Sequence, residues 1–393
     1  MRKSTKNTKR QAQQEADFER LYRTIPNGSR RSQAADDLNM QLPEPPKPRK
    51  WKKVLKRVII IIAILLALTG VWLGWKFAAN IIKVFGWGGL KDIFHSQKLK
   101  GEDVGRVNIL LAGNSADDPG HGGGELTDSI MVVSINTKDK TGYILSIPRD
   151  LYVNIPNSGY AKINEAYQDG KQSNFNEAGY GVGGMGLLEK VVSQNFGITS
   201  NYYALVNYTA LQQSVNAVGG ITINITSTDP RGLYDPSPDL THGRIPLVHL
   251  PNGPVNLSGL QALDLARARG DSYGSYGYGN SDFTRTENQR KILVGLKDKA
   301  GSTGTLSNPV KLGELLDSFG SNVQTDFKPS ELRRLYTVTK EIPSAQIKSE
   351  SLNSVNGKSL LTSYTNKYGQ STLIPLAGID DFSQIQAFVS GLN

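Results

Sequence analysis

Eighteen consecutive residues, Val58 to Trp75, carry no charge and are apolar almost throughout. A helix of about this length, rising about 1.5 Å per residue, crosses the hydrocarbon core of a bilayer. Lys47, Arg49, Lys50, Lys52, Lys53, Lys56 and Arg57 come just before the run, with no acid among them. Such a cluster favours the cytoplasmic side, so the expected topology is N-terminus in, with everything after Trp75 outside. Trp51, Trp72 and Trp75 are placed to anchor the span at the interfaces. A cleaved signal peptide is the rival reading. It requires a shorter apolar region of about 7–15 residues after a short basic lead, whereas here 57 residues precede the run. An uncleaved single-pass anchor is therefore expected.

The charge divides at the same place. Residues 1–57 hold 16 Lys and Arg against 6 Asp and Glu, and the remaining residues hold 29 against 29, so the net +10 belongs to the tail. A basic segment on the cytoplasmic side matches the anionic inner leaflet. No nucleic-acid recognition motif accompanies it, and no nucleic acid is expected as a partner. The tail is polar and proline-bearing (P-E-P-P-K-P at 43–48) and reads as disordered. The chain has no cysteine, which excludes disulfides, thiolate metal sites and cysteine nucleophiles.

The expected organisation is a basic tail (1–57), an anchor (58–75), a membrane-proximal connector (76–100), a core domain (101–300) and a C-terminal part (301–393) packed on it. Strands are predicted at Val107–Ala112, Ser129–Ile135, Tyr143–Ile147, Tyr202–Asn207 and Ile221–Ile225, where Ile, Leu and Val runs are bounded by Gly, Asn, Asp or Pro. Helices are predicted around Leu187–Phe196, after the Ser258-x-x-Gln261 and Thr284-x-x-Glu287 capping boxes, from Pro329, and over Phe382–Val389. Strands and helices alternate, which gives an α/β (α+β) class with a central mixed sheet flanked by helices. The G-x-G patterns at 181–186 do not follow a strand as a nucleotide loop requires.

Three short blocks look like a pyrophosphate site: I-P-R-D (147–150), A-R-A-R (266–269) and D-F-T-R-T-E-N-Q (282–289). Arginine's planar fork of donors stays charged and suits phosphate oxygens. Asp282 and Thr284 lie at the start of a helix, with Arg285 in its first turn; the free N–H groups of a helix start favour anions, and Gln289 lies four residues on from Arg285 along the same face. Arg149 sits at a strand end, and Arg267 and Arg269 leave a helix end. Lys162, in K-I-N-E-A-Y, adds a further cation.

The order and spelling of V-N-I-L-L-A-G (107–113), L-T-D-S-I-M-V (126–132), L-S-I-P-R-D-L-Y-V (145–153), K-I-N-E-A-Y (162–167), A-V-G-G-I (217–221), L-S-G-L-Q-A-L-D-L-A-R-A-R (257–269) and D-F-T-R-T-E-N-Q resemble the LytR-CpsA-Psr family of bacterial cell-wall glycopolymer ligases. The resemblance is strongest over 105–297. It implies a membrane-anchored phosphotransferase that moves a glycopolymer from a polyprenyl-pyrophosphate carrier to peptidoglycan with Mg²⁺. It further implies that Asp128 binds the metal, that Arg149, Arg267, Arg269 and Arg285 hold the pyrophosphate, and that Lys162, Asp282 and Gln289 complete the pocket. Asp128, Arg149 and Arg285 are the expected catalytic residues. Two departures stand out. Asn114 occupies a position that is acidic in many members, as a second metal ligand, and Leu126 a position that is often arginine. Asp117, Asp118, His121 or Glu125 are substitutes for the missing ligand. The Gly/Ser/Tyr loop at 270–281 reads as a mobile lid or a sugar-stacking surface. The rivals are a polyprenyl-pyrophosphate hydrolase and a non-catalytic polyprenyl-phosphate-binding or regulatory membrane protein.

Overall fold

The computed structural model describes Thr69, Trp75 and residues 97–392, apart from 119–123, 239–244, 280, 304–319, 321, 354 and 356. The tail and the span expected at 58–75 lie outside the described residues except for Thr69 and Trp75. Among the described residues no helix is long and apolar enough to cross a membrane.

The centre of the fold is a six-stranded mixed sheet. Its strands are β1 (Arg106–Gly113), β2 (Ser129–Asn136), β3 (Thr141–Ile147), β6 (Tyr202–Val206), β11 (Val323–Thr325) and β12 (Ile347–Ser351), in the order β11-β6-β1-β2-β3-β12. The β1–β2–β3 meander is antiparallel, β6 and β12 join it in parallel, and β11 is antiparallel to β6. Between them lie the hairpin β4 (Tyr152–Ile155) and β5 (Gly159–Lys162), and the strands β7 (Ile221–Ile225), β8 (Leu233–Asp235), β9 (Val248–Leu250) and β10 (Gly253–Leu257). A late hairpin pairs β13 (Leu361–Thr365) with β14 (Ser371–Pro375). The helices are α1 (Ala166–Gln172), α2 (Gly184–Phe196), α3 (Tyr208–Ala217), α4 (Gly259–Arg267), α5 (Ser281–Thr303), α6 (Pro329–Thr339) and α7 (Ser383–Ser390).

Side chains alternate across β1, as the two-residue period of a strand requires. Leu110 and Ala112 enter a core completed by Leu187, Leu188, Val191 and Phe196 of α2 and by Ile385 and Val389 of α7. Val107 and Ile109 face the opposite side, where Tyr202 stacks on Phe327 with ring centroids 3.9 Å apart. A third core joins Val215 of α3, Ala262, Leu265 and Ala266 of α4, Ile292 of α5 and the β7–β10 pair. Each fully buried Leu, Ile or Val contributes roughly 1.5–3 kcal/mol relative to exposure, so the three cores fix the elements that carry the charged blocks.

The glycines at 181–186 serve packing. A Cβ on Gly186 would lie 1.7 Å from the Gly181 carbonyl oxygen, and one on Gly184 would lie 2.4 Å from the Tyr167 ring. Small residues there let the start of α2 sit against α1. The expected capping box at Ser258 and Gln261 is present. The one expected at Thr284 and Glu287 is not. The helix already begins at Ser281, which puts Thr284 inside the first turn, and Glu287 pairs with Lys291 at 2.7 Å instead.

Candidate active site

The strand register gathers the charged blocks at one end of the central sheet. Gly113 pairs with Ser129, Ile130 with Ile147, and Gly113 also with Val206, so the ends of β1, β3 and β6 and the start of β2 coincide. Asn114 follows Gly113 and Asp128 precedes Ser129, so the two flank the last pair of the ladder. Pro148 ends β3, and Arg149 turns back so that its Nη1 donates to Asp128 Oδ1 at 2.6 Å. The backbone of K-I-N-E locks this arrangement. The Asn164 carbonyl accepts from the Thr127 N–H at 3.2 Å, and the Asn164 N–H donates to the Arg149 carbonyl at 3.3 Å.

The second and third blocks come from α4 and α5. Arg267 is the last residue of α4, and the chain is extended at Ala268. Arg267 Nη2 lies 3.6 Å from Asp118 Oδ2, and its guanidinium sits 4.9 Å from the centre of the Tyr208 ring. Arg269 Nη2 lies 3.4 Å from Asp282 Oδ1 and Arg285 Nη2 lies 2.7 Å from it. Arg285 also donates to the Asp128 carbonyl at 3.1 Å, which ties α5 to β2. Gln289 does the same one turn on, accepting from Ser129 Oγ at 2.9 Å and donating to the Ala266 carbonyl at 2.9 Å. Lys162 holds Asp150 at 2.6 Å.

The residues read from the sequence thus converge, and five cations face four carboxylates: Arg149 with Asp128, Lys162 with Asp150, Arg267 with Asp118, and Arg269 and Arg285 with Asp282. Burial opposes the charge on Arg149, but Asp128, Asp150 and Asp282 outweigh it and hold its pKa above the ordinary value. Arg285 is more enclosed, and burial pulls its pKa down despite Asp282. Its Nε is buried without a hydrogen-bond partner.

Of the substitute ligands, Asp117 and Glu125 are engaged elsewhere. The Asp117 carboxylate accepts from the Tyr208 and Thr209 N–H groups at 3.2 and 2.7 Å, and Glu125 pairs with Lys171. His121 lies outside the described residues. Among the described residues no three His, Asp or Glu side chains form a metal cluster.

The loop at 270–281 is tied down. Tyr276 stacks on Tyr234 at 5.1 Å beneath the Arg231 guanidinium, and Tyr278 packs on the third core, leaving Tyr273 fully exposed. Two of the three tyrosines of this loop thus pack against the domain, and Tyr273 stands in solvent. Sequence reasoning passed over Ser129 and Tyr208. The signal for Tyr208 was its place just beyond β6, parallel to β1.

The fold is thus a mixed sheet flanked by helices, with arginines from three distant blocks gathered at one end, each facing a carboxylate. The chain belongs to the LytR_cpsA_psr family, whose profile matches residues 90–373. It is similar to the polyisoprenyl-teichoic acid–peptidoglycan teichoic acid transferase TagU of Oceanobacillus iheyensis, with 31% identity over 307 residues, 74% of this chain and 82% of that protein. Among solved structures, TagT bound to LIIa-WTA matches with a TM-score of 0.55 at 23% identity, over 75% of this chain and 92% of that one. YwtF (TagT) with bound octaprenyl pyrophosphate lipid matches with a TM-score of 0.51 at 21% identity, over 75% and 93%. At these identities the likeness to the solved structures is one of fold.

Proposed function

We propose that this protein is a membrane-anchored phosphotransferase that moves a glycopolymer from a polyprenyl-pyrophosphate carrier to peptidoglycan. The observation that carries this reading is the convergence of Arg149, Arg267, Arg269 and Arg285 at one end of the sheet. The relative named for teichoic acid transfer to peptidoglycan supports the substrate class.

Phosphoryl transfer asks the protein mainly for positioning and charge neutralisation. The arginines bind the pyrophosphate oxygens and align the anhydride bond. An acceptor sugar hydroxyl forms a new bond to the phosphorus attached to the glycopolymer. The anhydride P–O bond breaks, and polyprenyl monophosphate leaves with the electron pair. Asp128 or Asp282 takes the hydroxyl proton. Lys162 holds Asp150 beside Arg149, and Gln289 holds α5 against β2.

Asp128 and Asn114 fit a hard cation, since both offer oxygen and both flank the Gly113–Ser129 pair that ends the ladder. They would hold Mg²⁺ with phosphate oxygens completing its shell. The charge balance supports this assignment. Five cations already face four carboxylates, so an arriving pyrophosphate leaves the site net negative unless a divalent ion enters with it. Bound magnesium would supply neutralisation of the phosphate charge.

The charge partition supports a type II topology, with the basic tail on the anionic inner leaflet and residues 101–393 outside. Purified full-length protein should form glycopolymer–peptidoglycan product and release polyprenyl monophosphate only when acceptor oligomers are supplied. Equal release without acceptor would mark a hydrolase. Binding without turnover in magnesium would mark a lipid-phosphate-binding protein.

A further inference from the structure

We propose that Tyr208 is a positioning residue of this site, whose ring backs Arg267 and presents its guanidinium to the pyrophosphate. The inference rests on the site reading above and concerns a residue outside the charged blocks.

The placement follows from the strands. β6 runs parallel to β1 with Val206 beside Gly113, and the Asn114 N–H donates to the Val206 carbonyl at 3.0 Å. The next residues open α3, with the Asn207 side chain capping it by accepting from the Ala210 N–H at 2.9 Å. Tyr208 is therefore the first helical residue, two residues past the end of β6. Asp117 fixes its backbone by accepting from the Tyr208 and Thr209 N–H groups. The neighbouring Asp118 faces Arg267, and Arg267 lies over the Tyr208 ring. The loop, the ring and the arginine close on one another, which gives the two acidic residues of N-S-A-D-D roles other than metal ligation.

Arg267 needs such a support. It is the last residue of its helix, and an arginine stem carries much rotamer freedom. A ring face attracts the guanidinium electrostatically while leaving its N–H edge available. Fixing the fork before the ligand arrives removes an ordering cost from binding. The ring is half-buried, and burial pushes its phenol pKa up, so it stays neutral among Arg267, Asp128, Arg285 and Asp118.

The test is calorimetry on the full-length protein in detergent, with geranylgeranyl pyrophosphate and magnesium as the probe. Tyr208→Phe keeps the ring and should bind within about twofold of the parent. Tyr208→Leu should weaken binding by about threefold to tenfold with an unchanged melting temperature. In an Arg267→Ala background, Tyr208→Leu should have no further effect, because the pair it breaks is gone. Should Tyr208→Leu fail to fold, Tyr208→Met carries the same cycle. If Arg267→Ala binds like the parent, the reading of the site itself fails. If Arg267→Ala weakens binding but the loss of the Tyr208 ring does not, or costs the same in both backgrounds, only the present inference is overturned.

Discussion

Arg285 is the most enclosed cation of the site, with 7% of its side chain exposed. It touches Asp282, the Asp128 carbonyl and, through Asp282, Arg269. Arg285→Ala is expected to leave the domain folded and to lower transfer kcat/KM by about ten- to a hundredfold, the loss of a charge-assisted contact of ~1.5–3 kcal/mol. Arg285→Lys should recover only part, because an ammonium lacks the fork. Wild-type turnover by Arg285→Ala would remove Arg285 from the site. A second residue-scale prediction concerns Glu189, 6% exposed in α2 and accepting from the Gly181 N–H at 2.8 Å. Burial raises its pKa from 4.5 to about 7. The folded state therefore binds this proton more tightly than the unfolded chain does. The stability it contributes is full below about pH 4.5 and is lost as pH rises through about 7. By pH 8 the loss is on the order of 3 kcal/mol. Glu189→Gln should flatten denaturation midpoints between pH 5 and 8, and an unchanged pH dependence would contradict this account. At this scale the arginines were legible because each sits in a contiguous block. Tyr208 was not, nor was the pairing of Asp118 with Arg267, because what brings them together is strand register, which no local run of sequence spells out.

Elements were legible where hydrophobic period and boundary residues agreed. Strands β1, β2, β3, β6 and β7 fall within two residues of their predicted ends at every terminus. The short hairpins were not seen. β8 and β9 have three residues each, and β5 reads G-Y-A-K, too brief to show an alternation. β12 reads I-K-S-E-S, a polar sheet-edge strand that no hydrophobic pattern marks. Thr284 misled because Ser/Thr-x-x-Glu signals a helix start only when no helix precedes it, and the turn from Ser281 already did. The start of α2 gives the element-scale prediction. Gly184→Ala drives a methyl group to 2.4 Å from the Tyr167 ring, so α2 must shift away from α1. The expected cost is about 1–3 kcal/mol or more, as for other overpacked sites, read as a lower urea midpoint. Gly179→Ala is the control for added volume, since a Cβ there meets nothing within 4 Å, although its φ of +94° is strained for alanine. Equal losses at both positions would contradict the close-approach account, since of the two only Gly179 has a left-handed φ.

At the scale of the whole molecule the charge partition predicts topology. Protease added to intact cells that lack an outer membrane should digest residues 101–393 and spare the basic tail. Protection of the C-terminal part would overturn the type II reading. The sheet gives a further prediction. Its outer strands, β11 and β12, both come from beyond residue 320, and the core beside α2 is completed by Phe382, Ile385 and Val389. A chain ending at residue 320 keeps every arginine of the site yet should fail to fold cooperatively, which thermal melting with circular dichroism checks. The same threading bears on biogenesis. Until its last seventy or so residues arrive, the nascent protein presents two raw strand edges, each a template for pairing with another chain. Non-local pairing of this kind is slow to form and open to aggregation. The protein is therefore most vulnerable after β6 and before β12 has been made, when a chaperone has most to protect.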